Sequence, residues 1–141
     1  MLILAVDSAT PVAGAALMED GKILCEQFVN YKKTHSETLL PMIGQVLKTC
    51  EKGISDLDAL AVTVGPGSFT GLRIGLATVK ALSMAQNIPV VPLSTLDVLA
   101  NNVAYQQGLI APLLNARKME VYTAFYKGDG LSAVPTKISE E

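Results

Sequence analysis

Three short apolar runs open this chain, and near residue 35 the hydrophobic pattern changes from strand-like to helix-like. That order of elements restricts the fold more than any other feature. LILAV (residues 2 to 6) and VAGAALM (12 to 18) read as buried strands parted by Asp7, Ser8, Ala9, Thr10 and Pro11, and a third run extends from Lys22 to Val29. Asp20-Gly21 joins the last two, a pair that accepts positive φ at both centres of a type I′ hairpin turn. From His35 to about Lys52, Leu39, Leu40, Met42, Ile43, Val46, Leu47 and Cys50 fall within an arc of about 160° at about 100° per residue, which predicts an amphipathic helix. Gly53 is placed to stop that helix, and Pro41 predicts a kink or a later start.

DALAVTV (58 to 64) is the next buried strand. GPGSFTG leads from it into a helix from about Thr70 to Asn87, followed by a short strand from Pro89 to Leu93. Ser94 and Asp97 then have the spacing of a capping box ahead of another helix. The order β-β-β-α-β-α-β-α predicts an α/β fold in which a hairpin meander and βαβ units share a mixed five-stranded sheet. After Gly108, LIAPLLNA (109 to 116) and MEVYTAFYK (119 to 127) read as two further strands, and the tail GDGLSAVPTKISEE supplies turns and a charged end but no helix to cover them. Residues 1 to 107 therefore read as one lobe, and residues 108 to 141 as the incomplete beginning of a second.

Composition narrows the function. Of 141 residues, 50% are hydrophobic and 17% charged, Trp is absent, and aromatics make up 5%, so the core must be built from Ala, Val, Leu and Ile. Mean hydropathy is +0.37, and apolar surface in excess of one core predicts a partner contact. No stretch approaches the roughly 18 uncharged apolar residues of a membrane span. The first residues lack the basic start of a secretory leader and carry Asp7, so a cytoplasmic chain without membrane contact is expected. A net charge of -2 without a basic run disfavours autonomous nucleic-acid binding. Cys25 and Cys50 form no CxxC pair and read as buried reduced thiols. The single histidine, His35, cannot supply a His pair, so no metal site is expected, and it reads as a helix start. Glu37 and Glu120 are further carboxylates that nothing fixes as a pair.

Two features carry chemistry. Gly65-Pro66-Gly67-Ser68-Phe69-Thr70-Gly71, between strand and helix, reads either as an anion cradle at a helix N-terminus or as a tight turn, and it is not a Walker A loop. Gly65, Gly67 and Asp7 are thus the candidate nucleotide contacts, with Asp7 read alternatively as an Asx-turn residue. In the following helix, Gly71, Leu72, Ile74, Gly75, Ala77, Thr78, Val79, Ala81, Leu82, Met84 and Ala85 cover about 240°, more than one sheet can bury. The remaining sector holds Arg73, Lys80, Ser83 and Asn87 but also Leu76. Gly71, Gly75, Thr78 and Ala85 line a small-residue strip, so one side of the helix should meet the sheet and another a second helix, the chain's own or a partner's.

GPGSFTGLRIG (Gly65 to Gly75), with HSETLLP (35 to 41) before it and PLSTLDVLA and NARKMEVYTAFY after it, resembles the TsaB family, also called YeaZ. The resemblance runs from Met1 to about Lys127 and implies the actin-like ATPase (ribonuclease H-like) fold in two lobes. It implies a part in making threonylcarbamoyladenosine beside the tRNA anticodon, as a non-catalytic subunit that binds the paralogue TsaD through helices of the first lobe. TsaE would be a further partner, and tRNA would be reached only through the complex. No cofactor is required on this reading, with ATP or ADP at a partner interface the alternative. TsaD-type metal sites use an HxxxH pair, which a chain with only His35 lacks. Where the family usually reads Asp-Ala-Arg this chain has Asn115-Ala116-Arg117, with Met119 where Gly is frequent, which argues against Mg-nucleotide hydrolysis. The expected interface comprises Met42, Val46, Arg73, Leu76, Ala77, Lys80 and Met84, used for a TsaD heterodimer or, alone, a homodimer. The rival class is an actin-fold nucleotide hydrolase or peptidase-like enzyme working through Asp7 and the glycine loop.

Overall fold

The computed structural model describes residues 1–30, 35–131 and 134–140. Residue contacts divide it into two units, Met1–Val64 with Ser68–Pro92, and Gly65–Gly67 with Leu93–Glu141.

In the first unit, β1 (Leu2–Asp7), β2 (Ala13–Glu19) and β3 (Lys22–Val29) form an antiparallel meander. Asp20 and Gly21 have φ of 50° and 82°, the two positive values that a type I′ turn demands. β4 (Ala59–Gly65) lies parallel to β1, and with β5 (Val90–Ser94) the sheet order is β3-β2-β1-β4-β5. α1 (His35–Thr49) buries Leu39, Met42, Ile43, Val46 and Leu47 in a core shared with Leu4, Leu17, Leu60 and Val62 of the sheet and Val79 of α2 (Phe69–Gln86).

Pro41 does not delay the start of α1, which runs from His35 through it. The hydrogen bond lost at a helical proline costs about 3 kcal/mol, less than burying five large apolar side chains returns at about 1.5–3 kcal/mol each. Nor does Gly53 terminate the helix. Glu51 takes the left-handed position (φ 54°), and Lys52 N donates back to Leu47 O at 3.0 Å, while Gly53 caps a 3-10 turn at Ile54–Asp56.

In the second unit, β8 (Glu120–Asp129) pairs antiparallel with β6 (Gln107–Ile110), β7 (Leu113–Arg117) and β9 (Thr136–Glu140). Three expectations change here. The run LIAPLLNA is two strands, because Pro112 has no N–H to continue a ladder. The tail contributes a strand, β9, with residues 132, 133 and 141 of that segment outside the described ones. Finally, α3 (Thr95–Asn101) covers part of this sheet, packing Leu96 and Ala100 against Ile110, Ala124 and Tyr126. Its capping box is half formed. Ser94 Oγ accepts from Asp97 N at 3.5 Å, but the Asp97 carboxylate turns to Tyr126, whose hydroxyl donates to Oδ1 at 2.5 Å, with Lys137 Nζ at 3.6 Å.

Candidate functional site

The turn between β1 and β2 is the point on which the first unit converges. Asp7 Oδ1 accepts from Ala9 N at 3.0 Å and from Thr63 Oγ1 at 2.5 Å, which closes an Asx turn and ties it to the neighbouring strand β4. Ser8, buried like few other polar side chains here, donates its hydroxyl to Gly71 O at 2.8 Å. Thr10 O receives the ring N–H of His35 at 2.8 Å. A carbonyl only accepts, so Nε2 carries the proton, and His35 fastens the first residue of α1 to this turn. Ala9 O accepts from Ser68 N at 2.7 Å.

Ser68 is the N-cap of α2, its hydroxyl accepting from Gly71 N at 3.2 Å. One donor of the helix N-terminus is therefore already satisfied within the chain. Gly65 stands at the end of β4 with φ +119°, joined to Pro66 by a cis peptide bond, and this backbone needs a residue without Cβ. Gly71 and Gly75 are needed for a different reason. A Cβ on Gly71 would overlap the backbone oxygen of Ser8, and one on Gly75 would overlap Ser8 Oγ. These two glycines let α2 lie against the β1–β2 turn closer than any side chain would allow. Thr63, which sequence reasoning passed over, and Ser8, which it read only as a turn residue beside Asp7, are the side chains that fix Asp7 and α2. Their signal was a hydroxyl within an otherwise apolar strand and another beside the first strand's end.

The strip of small residues does not act as one surface. Gly71 and Gly75 are buried, whereas Ala85 is exposed. The inward side of α2 is Gly71, Gly75, Val79 and Leu82. On its outward side lie Arg73, Leu76, Ala77, Lys80 and Met84, all exposed, Met84 by 75%. Phe69, 68% exposed, joins them, with the Arg73 guanidinium 3.9 Å from its ring centroid. Its position four residues before Arg73 was the available signal.

Met42 and Val46, expected on a partner-facing surface, lie instead in the core of the first unit. They are 4% and 0% exposed, because the apolar arc of α1 is consumed by the sheet and by α2. Asn115 Oδ1 accepts from Arg117 N at 2.7 Å, and Arg117, Lys118 and Met119 all have positive φ, so the β7–β8 turn is built from three left-handed non-glycine residues. Among the described residues, no group of three or more His, Cys, Asp or Glu is arranged to hold a metal ion, and no helix is long and apolar enough to cross a membrane.

An antiparallel β3-β2-β1 meander continued by parallel β4, with α1 and α2 packed on it, defines the first unit as a lobe of the actin-like, ribonuclease H-like fold. T. thermophilus RuvC shares that fold, with a TM-score of 0.50 at 16% identity over 74% of this chain and 71% of that one. Residues 22–135 match the family model described as TsaD: tRNA N6-adenosine threonylcarbamoyltransferase. A Bacillus subtilis (strain 168) protein named tRNA threonylcarbamoyladenosine biosynthesis protein TsaB is 37% identical over 127 residues, 90% of this chain and 56% of its own length. YeaZ from Pseudomonas aeruginosa superposes with a TM-score of 0.89 at 31% identity, covering 99% of this chain and 66% of that one. The chain belongs to the TsaB (YeaZ) family, within the wider TsaD domain family. It spans about half the length of the curated relatives it matches.

Proposed function

We propose that this chain contributes to the formation of threonylcarbamoyladenosine on tRNA as a non-catalytic partner of TsaD, docking through the outward face of α2. The observation that carries the docking surface is the spacing of Phe69, Arg73, Leu76, Lys80 and Met84, all exposed on one side of an 18-residue helix whose other side is buried. Spacings of three and four are what a partner helix packs against. Arg73 and Lys80 lie within this stripe and call for acidic groups opposite them, since partly buried cations need partners.

No cofactor of its own is required on this reading. The two donors on Asp7 Oδ1 support a turn-forming role for that carboxylate over a nucleotide-binding one. TsaE joins as a further partner, nucleotide would lie at a partner interface, and tRNA is met through the complex. Without TsaD the same face serves a homodimer.

Light scattering on the purified chain, alone and mixed with TsaD, tests the surface. Leu76→Glu and Ala77→Glu are expected to abolish association, and if both leave every complex intact the docking surface is wrong. Calorimetry with ATP and Mg²⁺ tests the non-catalytic role, which micromolar binding followed by turnover would overturn.

A further inference from the structure

The two cysteines, 25 residues apart in sequence, meet at the rim of the first unit's core. Cys25 stands opposite Leu17 in the β2–β3 ladder, and residues paired across an antiparallel ladder project to the same face. Leu17 is fully buried in the core that α1 covers, so Cys25 faces α1. Cys50 is the residue after α1, held by hydrogen bonds from its N–H to Val46 O and Leu47 O at 3.3 and 3.2 Å. Both side chains pack against the same cluster and both remain partly exposed, and Cys25 is among the groups near enough to Cys50 to raise its thiol. Cys50 also lines an open depression of about 540 Å³ beside Glu19, Glu51, Lys52, Asp56 and Asp58, which gives a small reagent access to it.

We infer that Cys25 and Cys50 are a reversible oxidation site, at which a low-molecular-weight disulfide converts the thiol pair into one intramolecular disulfide that staples the end of α1 to the edge strand β3. One protein thiol, as its thiolate, attacks a sulfur of the small disulfide and expels a small thiolate, which takes up the released proton. The second protein thiol loses its proton and attacks the protein sulfur of the mixed disulfide, expelling the second small thiolate. In sum, a protein dithiol and a small disulfide become a protein disulfide and two small thiols. Burial, and then the neighbouring Cys25, raise the Cys50 thiol above its ordinary value, so exchange quickens as pH rises. The carboxylates around the depression favour an uncharged or cationic disulfide over an anionic one.

The test incubates the folded chain with bis(2-hydroxyethyl) disulfide and follows intact mass and a tryptic map. The expected product is a monomer lighter by two hydrogen atoms, with the Cys25 and Cys50 peptides linked and the change reversed by dithiothreitol. Cys25→Ser and Cys50→Ser should each stop at a single mixed-disulfide adduct. In a thiol–disulfide buffer the folded chain should close the bond at least ~10-fold more favourably than the chain unfolded in urea, because folding holds the two sulfurs together. Two adducts on one molecule, linkage between molecules, no reaction, or equal closure in the folded and unfolded chains would each overturn the inference.

Discussion

Replacing Gly75 by Ala sets two effects against each other, and the structure decides their balance. In a helix interior Ala is favoured over Gly by about 1 kcal/mol, so at an open site the change would stabilise the protein. Here the new methyl overlaps Ser8 Oγ. Only Ser8 or α2 can give way. Turning the hydroxyl breaks its 2.8 Å bond to Gly71 O at a site 1% exposed to water, and an unpaired buried hydroxyl costs about 1–3 kcal/mol. Shifting α2 disturbs the packing of Val79 and Leu82 at a similar cost. Gly75→Ala should therefore be neutral to destabilising, by about 0–2 kcal/mol. In a Ser8→Ala background the obstructing oxygen is gone and the next atom, the residue-8 Cβ, lies 3.5 Å away, an ordinary contact. There the same substitution should stabilise by about 1 kcal/mol, giving a coupling of about 1–3 kcal/mol between positions 8 and 75. Urea midpoints of the four proteins, read by circular dichroism, measure that coupling. Stabilisation by Gly75→Ala in both backgrounds, with no coupling, would refute the close approach of α2 to the β1–β2 turn.

Other substitutions separate core from surface. Val46→Ala should cost about 2 kcal/mol in urea denaturation, whereas Leu76→Ala, on the outward face of α2, should stay within about 0.5 kcal/mol. Tyr126→Phe removes the hydroxyl bonded to Asp97 and should destabilise the second unit by about 1–2 kcal/mol, read as lost hydrogen-exchange protection in β8. Alkylation of Cys50 by iodoacetamide should reach half its maximal rate above the ordinary thiol value of 9.0, because burial favours the neutral form. The sign for stability follows. The folded state holds that proton more tightly than the unfolded one, so the contribution is full below the ordinary value and is lost as pH rises through the folded value. Cys50→Ser should flatten that part of the alkaline stability profile.

The strands and hairpin of the first unit were legible because each rests on local chemistry: unbroken aliphatic runs for β1, β2 and β4, and Asp20-Gly21 for the turn. The helix α3 was legible as a helix but not in its allegiance. Ser94 and Asp97 fit a capping box in sequence, yet the Asp97 carboxylate is engaged by Tyr126, 29 residues away, and no local pattern records that contact. Likewise α1 showed its apolar arc plainly, but an arc does not say whether a sheet or a partner covers it. The sheet and α2 cover Met42 and Val46.

The faces of α2 were legible only in part, for a more particular reason. A hydrophobic wheel assumes that the inward side is the most apolar side, and in α2 the inward side begins with Gly71 and Gly75, which carry no side chain to weigh. What buries them is Ser8, a polar residue in a turn, whose backbone oxygen and hydroxyl occupy the space where Cβ atoms would stand. Close approach thus substitutes for hydrophobicity on one side of the helix, and Val79 and Leu82 complete that side farther along. Leu76 and Met84 are left outside, although their hydropathy alone would have placed them within. The apolar excess of the sequence is in part this displacement. Where glycines take the buried positions of a helix, the aliphatic residues between them are free to face outward, and on α2 they do so at the spacing another helix requires.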